Sequence, residues 1–408
     1  MKFPLLFLPV VLTVGSAMGA AFDWPQWRGP NRDDVSKETG LLKKWPAEGP
    51  KKLWSFANAG KGYAGYSVVA GKLYTMGTRD GKEVLMALDA ATGKELWATP
   101  LSDILGNRWG DGPRGTPTVD GDRIYALSGP GTLMCVQAKD GKMIWSKSMK
   151  DYGGEVPSWG YTESPLVDGG NVVVTPGGDS GAVLALNKTT GETVWQSKEF
   201  TDKAQYASLV PANINGVPQY VQLTMQSVAG IGAKDGKMLW RTDFPGRTAV
   251  IPTPIVKGNQ VFVTAGYGIG CKSFTVGADN SVTELYRNGN MENHHGGVIL
   301  IGDYVYGHSK SGWTCLDFKT GEIKWQEKKL GKGAVGYADG MLYLLDEKSG
   351  ECVLIEASPE GWKENGRFKL DPQTSIRSSQ GAIWTHPVIS NGRLYLRDQD
   401  LIHAYAVK

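Results

Sequence analysis

The stretch "MALDAATGKELW" (residues 86–97) returns as "MCVQAKDGKMIW" (134–145), "LALNKTTGETVW" (184–195), "IGAKDGKMLW" (231–240) and "TCLDFKTGEIKW" (314–325). The tryptophans that close it, together with Trp54, form a series: Trp54, Trp97, Trp145, Trp195 and Trp240 are spaced by 43, 48, 50 and 45 residues. The next copy, "VTELYRNGN", puts Tyr286 where an indole is expected, Trp325 resumes the series, and "WKENGRFKL" around Phe368 is a further worn copy. A unit of this length cannot bury a core alone, so its copies must pack on one another. A period in the forties with short β-rich segments is that of a propeller of four-stranded blades.

Within residues 66–97 the strands read directly as "YSVV", "KLYTMG", "EVLMALD" and "KELW", punctuated by Ala70-Gly71, Asp80-Gly81 and Thr92-Gly93. The recurring Asp-x-x-Thr-Gly-Lys is then the third hairpin. Asp89 can accept backbone N–H bonds there, and Gly93 can take the positive φ that ends the turn. The Trp four residues on lies on the outermost strand, where a large flat ring can cover the neighbouring blade. A phosphate-binding loop would need Gly-x-x-x-x-Gly-Lys-Ser/Thr and a following helix. Here Glu or Met follows the Lys and a strand follows the turn, so the motif is structural.

The two ends of the chain complete one another. "HPVISNGRLYLRDQDLIHAYAVK" (386–408) supplies three strands and "KKLWSF" (51–56) a fourth without its first three. Joined, they give an all-β, eight-bladed propeller over residues 51–408, about 45 residues per blade. Such closure removes the open sheet edges that invite aggregation. Seven blades is the alternative, if the copy near 286 or 368 is an insertion.

These repeats, with Ala-Leu-Asp-x-x-Thr-Gly-x-x-x-Trp at the third turn, resemble the pyrroloquinoline quinone (PQQ)-like propeller superfamily over nearly the whole chain. They lack the Trp-Asp ending of WD40 repeats: Ala, Ser, Gln, Arg and Gln follow Trp97, Trp145, Trp195, Trp240 and Trp325. The resemblance implies two functions. Quinoprotein dehydrogenases hold PQQ and Ca²⁺ in the central funnel and oxidise alcohols or sugars. BamB-like outer-membrane assembly lipoproteins keep the blades without the cofactor. A third group, exported propellers with an N-terminal segment like "WPQWRGPNR" (24–32), is similar as well. The adjacent-Cys pair of alcohol-oxidising quinoproteins does not occur in this sequence, and neither does the lipid-attachment Cys near the N-terminus.

Residues 1–20, with Lys2, an apolar stretch and small residues near 19–21, predict a secretory signal interrupted by Pro4 and Pro9. No later apolar run approaches the ~20 residues of a spanning helix. The expectation is an exported chain, periplasmic or secreted, without a transmembrane segment or lipid anchor, and monomeric, with a strap over 21–50 ahead of the propeller. Forty-four Lys and Arg against 41 Asp and Glu are too balanced for a nucleic-acid binder. Cys135, Cys315 and Cys352 fall in similar strand positions, which favours buried thiols over bridges, and nothing resembles a haem-attachment motif.

Function in a propeller is sought along the channel and its rim. Four segments there are richer than packing requires. "LGNRWGDGPRGTPTV" (105–119) offers Arg108, Trp109, Asp111 and Arg114, suited to the carboxylates and flat face of a quinone or to an acidic sugar, or simply a solvated loop with one Trp tucked in. "VPSWGYTESPLV" (156–167) offers Trp159, Tyr161 and Glu163, which on an inner strand would face one side. Glu163 is a weak candidate Ca²⁺ ligand, since Ca²⁺ needs six to eight oxygens and one Glu supplies at most two. "MENHHGGVILI" (291–301) offers His294 and His295, able to share a metal only from a bent loop. "GAIWTHPVI" (381–389) offers Trp384 and His386. No catalytic residue is assigned. The expected function is a non-catalytic scaffold for a protein or carbohydrate, with no cofactor. The alternative is a PQQ- and calcium-dependent dehydrogenase, which three or more convergent oxygen ligands in the channel would favour.

Overall fold

The computed structural model describes residues 22–408; the expected secretory signal lies outside them. Eight four-stranded antiparallel sheets follow one another in sequence. Blades 1 to 7 run over 67–103, 118–148, 166–196, 210–243, 255–288, 298–327 and 333–369, each with its first strand innermost. Blade 8 combines Val388–Ser390, Arg393–Asp398 and Leu401–Ala406 with Lys52–Phe56, which pairs antiparallel with Leu401–Ala406 so that Trp54 faces Ala404. The worn copies at Tyr286 and Phe368 are the outer strands of complete blades, so the ring has eight. Arg397 adds a buried tie at the closure: it donates to the Ala64 and Met76 carbonyls of blade 1 at 3.0 and 2.6 Å.

The repeated motif holds one blade to the next. The Trp54 Nε1–H of blade 8 donates to the Ala90 carbonyl in the third turn of blade 1, at 3.1 Å. Trp97 reaches Ala138 at 3.3 Å and Trp145 reaches Lys188 at 3.1 Å in the same way. The Tyr286 hydroxyl replaces the indole and reaches Phe318 at 2.9 Å. Trp240 differs, turning its N–H to Gln219 of its own blade. Five of these rings, Trp54, Trp97, Trp145, Trp195 and Tyr286, lie on the glycine of the turn they cap. A Cβ on Gly93, Gly141, Gly191, Gly236 or Gly321 would sit 2.4 to 2.9 Å from the aromatic ring of the preceding blade. Those glycines also hold φ of 72 to 73°, so conformation and space both exclude a side chain. Asp89 Oδ1 accepts from the Ala91 and Thr92 amides, as the sequence leads one to expect.

The residue paired across the strand from each clasp is small: Ala87, Ala185, Ala404, Gly230, Ser273, and the thiols of Cys135, Cys315 and Cys352. Those cysteines act as small apolar fillers under a ring. All four thiols are buried and unpaired, and burial pushes Cys271 and Cys315 up to about 11 and 12.

Residues 22–36 do not run over the outside of the ring; they cross its axis and touch every blade. Trp24 exchanges backbone bonds with Val68 of blade 1, and the Pro25 carbonyl accepts from Val119 of blade 2. Arg32 donates to Ser164 and Pro165, entering blade 3, and to Leu209, entering blade 4, at 2.6 to 2.8 Å. Trp27 bonds Thr253 before blade 5, and Arg28 donates to Val298 of blade 6 at 2.6 Å. Val35–Ser36 lies parallel to Gly333–Ala338 of blade 7, and Asp34 meets His386 before blade 8 at 2.9 Å. Arg28, Arg32 and Asp34 all hold φ near +60°, a conformation that these fixed side-chain bonds maintain. Further on, Trp45 packs on Tyr343 and Phe368, covering the blade whose outer strand lacks an indole.

Two outcomes test this packing. Gly93→Ala should cost well beyond the about 1–2 kcal/mol of left-handed strain, whereas Gly71→Ala, with φ of 74° and nothing within 4 Å, should cost only that strain. In a Trp54→Ala background the two should converge, as measured by chemical denaturation; equal costs in the wild-type chain would refute the clasp. Arg32→Met, which orphans three buried carbonyls at about 1–3 kcal/mol each, should lower the unfolding midpoint more than removal of an exposed pair such as Lys203–Glu155.

Candidate functional site

The plug closes the floor of a cavity of about 540 Å³ that opens on one face of the ring. Its wall follows the repeat. Counting four residues back from the first strand of blades 1 to 6 and 8 gives Tyr63, Arg114, Thr162, Tyr206, Ile251, His294 and Trp384, and all seven line it. Two residues further along, Ser164, Ser208, Thr253 and His386 line it too. Trp109, Trp159 and His295 come from the loops between blades. Tyr267, Glu347 and Lys348 come from turns between second and third strands. Trp27 and Arg28 form the floor. On the plug's other side a second cavity of about 460 Å³ is bounded by Asn31, Arg32 and Asp33.

The wall is a continuous run of ring contacts. Arg114 lies over Tyr63 at 4.8 Å, Tyr63 meets Trp384 at 4.8 Å, and Trp384 stacks on His295 at 4.4 Å and 25°. His295 meets His294 at 3.8 Å, and His294 meets the Tyr267 ring edge-on at 4.5 Å. On the floor Trp27 packs on His386 at 4.6 Å. One polar group ties this run together. Glu347 pairs with Lys332 at 3.0 Å and accepts from Trp384 Nε1 at 3.2 Å, while Lys332 donates to His294 Nδ1 at 3.0 Å. An ammonium has only donors, so His294 Nδ1 is the acceptor and its proton sits on Nε2. Burial holds both imidazoles neutral: His294 is pushed down to about 2, with His295 and Lys332 adding to the effect, and His295 is pushed well below its usual value.

A family model described as outer membrane protein assembly factor BamB matches residues 81–327, more than half of the chain. The chain belongs to this family of PQQ-like repeat propellers. No curated protein matches its sequence. Among solved structures, BamB from Moraxella catarrhalis is similar at 16% identity, covering 88% of this chain and 97% of that one, with a TM-score of 0.63. The quinohemoprotein alcohol dehydrogenase from Comamonas testosteroni is similar at 12%, covering 94% and 80%, with a TM-score of 0.60. The computationally designed Ika8 protein is similar at 12%, covering 88% and 100%, with a TM-score of 0.61. At these identities the likeness is one of fold.

The resemblance to quinoprotein dehydrogenases implies PQQ with Ca²⁺, and this cavity offers few oxygen ligands for the ion. Glu347 is the one carboxylate on its wall, and Lys332 and Trp384 occupy its oxygens. Among the described residues no three His, Cys, Asp or Glu side chains converge as a metal site. Ca²⁺ takes six to eight oxygens, so the residues present do not fit the PQQ–Ca²⁺ pair.

Of the residues singled out in the sequence, Trp109, Arg114, Trp159, His294, His295, Trp384 and His386 meet in this cavity, and four do not. Arg108 is exposed over Trp109, and Asp111 is paired with Lys61 at 2.8 Å. Tyr161 is buried in the core, its hydroxyl donating to the Pro176 carbonyl at 3.0 Å. Glu163 is buried as well, accepting from the Thr175 amide at 2.6 Å and hydroxyl at 3.0 Å, and burial pushes it up to about 7. The expected alternation of Trp159, Tyr161 and Glu163 on one face fails because the inner strand begins only at Leu166. Gly160 at φ 78° and Pro157 and Pro165 turn the backbone before it. His294 and His295 do lie on a bent loop, as two neutral rings 3.8 Å apart and tilted at 50°. Tyr63, Tyr206, Tyr267, Lys332 and Glu347 were missed. For Tyr63 and Tyr206 the signal was present: both hold the same repeat position as Arg114 and Trp384.

The neutral imidazoles carry a pH signature. His294, His295, His308 and His403 are all lowered, chiefly by burial, and each takes up a proton on unfolding below pH ~6.5. Their contribution is therefore complete above that pH and is lost as pH falls. Glu163 and Glu83, raised by burial, act oppositely, costing stability as pH rises past about 4.5. Four imidazoles outweigh two carboxyls, so the melting temperature should drop between pH 7.5 and 5.5, less steeply in a His294→Gln/His295→Gln variant. A higher melting temperature at pH 5.5 would contradict the burial of these rings.

Proposed function

We propose that the chain is an exported, non-catalytic binding platform, periplasmic or secreted, whose ligand enters the aromatic cavity at the ring's axis. The observation that carries this reading is the cavity's composition: a concave aromatic wall, one neutralised carboxylate, and a floor sealed by the chain's own plug. An enclosed concavity with rigid aromatic anchors suits a saccharide or a peptide segment better than a flat protein face. Membership of a family named for an outer-membrane assembly factor supports a binding role, and so does the absence of a convergent oxygen set among the described residues. No helix among those residues is long and apolar enough to cross a membrane.

The rival reading, a quinoprotein dehydrogenase, draws on the shared fold of the Comamonas enzyme. The two separate in one assay. Purified protein titrated with PQQ and Ca²⁺ should show no stoichiometric quinone uptake by absorbance and no dye reduction with alcohols or sugars. Uptake with turnover would overturn the platform reading.

A further inference from the structure

The charged side chains that line the cavity are mostly cationic, Arg28, Arg114, Lys332 and Lys348 against Glu347, which bears on what the proposed platform holds. Arg114 is the centre of this imbalance. Its Nε donates to the Trp159 carbonyl and its Nη2 to the Gly110 carbonyl, both at 2.8 Å, and its face lies on Tyr63. All three are neutral partners. Asp111 of the same loop is held by Lys61, and Glu347 by Lys332. Among the described residues no carboxylate forms an ion pair with Arg114. Glu83 and Asp111 act on this guanidinium only at a distance, so a largely enclosed charge with no carboxylate in contact is better satisfied when an anion joins it.

The neighbours add to the same sign. Lys332 and Lys348 stand on the wall beside the single carboxylate. The His294 Nε2–H is a buried donor with no partner among the described residues. Trp109, Trp159, Trp384 and Tyr267 add aromatic rings to the same wall. A saccharide presents apolar C–H faces to such rings and acceptor-rich edges to such donors.

Resting on the platform reading, we infer that this cavity binds an acidic saccharide, a uronate or sulfated sugar, with its anionic group on Arg114 and its ring faces against Trp384 and Trp109. Calorimetric titration of the intact protein tests this with trigalacturonate, a sulfated trisaccharide, neutral maltotriose and an Asp/Glu-rich octapeptide. Saturable binding is expected for an acidic saccharide, at least tenfold tighter than for maltotriose and weakening as salt rises. The first two probes separate carboxylate from sulfate. Arg114→Gln should lose at least tenfold and flatten the salt dependence, and Arg114→Lys should keep that dependence. Lys332→Met provides a second reading should the Arg114 loop fail to fold. Equal affinity for maltotriose, or no saturable binding of either acidic saccharide, would overturn the inference and leave the platform reading intact. Tighter binding of the octapeptide would overturn the saccharide class. Quinone uptake with turnover in the preceding assay would remove both readings.

Discussion

The aromatic ring that each blade lays on a glycine of the next is the contact on which the rest of this molecule depends. It works only as a pair. Without the ring, the turn of the following blade has a bare backbone at an interface; with any side chain at Gly93 or Gly236, the ring has no seat. Because the partners belong to consecutive repeats, the contact sets how one sheet stands against the next, at Gly93, Gly141, Gly191, Gly236 and Gly321 around the eight-bladed circle. The small residue under each ring follows from the same geometry. That explains three cysteines which are buried and unpaired.

Closing the circle creates a second demand, which the plug meets. The innermost strands converge on an axis where their backbone carbonyls have no neighbours of their own. Arg28 and Arg32 reach four of these carbonyls with guanidinium donors. Burial lowers Arg32 to about 10, still well above neutral pH, so the guanidinium keeps its charge while serving as a structural pin. The plug also divides the axis, so the upper cavity is a blind cup and not a pore. Its wall is then built from one loop position in each of seven blades together with the loops and turns beside them.

Much of the fold was legible in the chain because its signals are local and repeated. Trp54, Trp97, Trp145, Trp195 and Trp240 reveal the period, and Asp89 to Gly93 announce the turn. The isolated "KKLWSF" has only one blade that it can complete. The candidate site was half legible. Trp109, Arg114, Trp159 and Trp384 were found because large rings and a guanidinium are conspicuous in loops. Tyr161 and Glu163 misled because Pro157, Gly160 and Pro165 break the alternation that was read into their segment. Lys332 and Glu347 carry no local mark of their role.

The sequence by itself determined the repeat, its closure and most of the clasping residues, which are consequences of side-chain size and turn geometry within one repeat and its neighbour; eight blades in place of seven was decided by the complete sheets at Tyr286 and Phe368. Tertiary structure alone decided that residues 22–36 fill the axis, since Arg28 and Arg32 find partners more than a hundred residues away. It alone decided that Arg114 has no carboxylate in contact and that burial holds His294 and His295 neutral. Those properties depend on burial and on distances between blades, and such quantities exist only once the circle has closed.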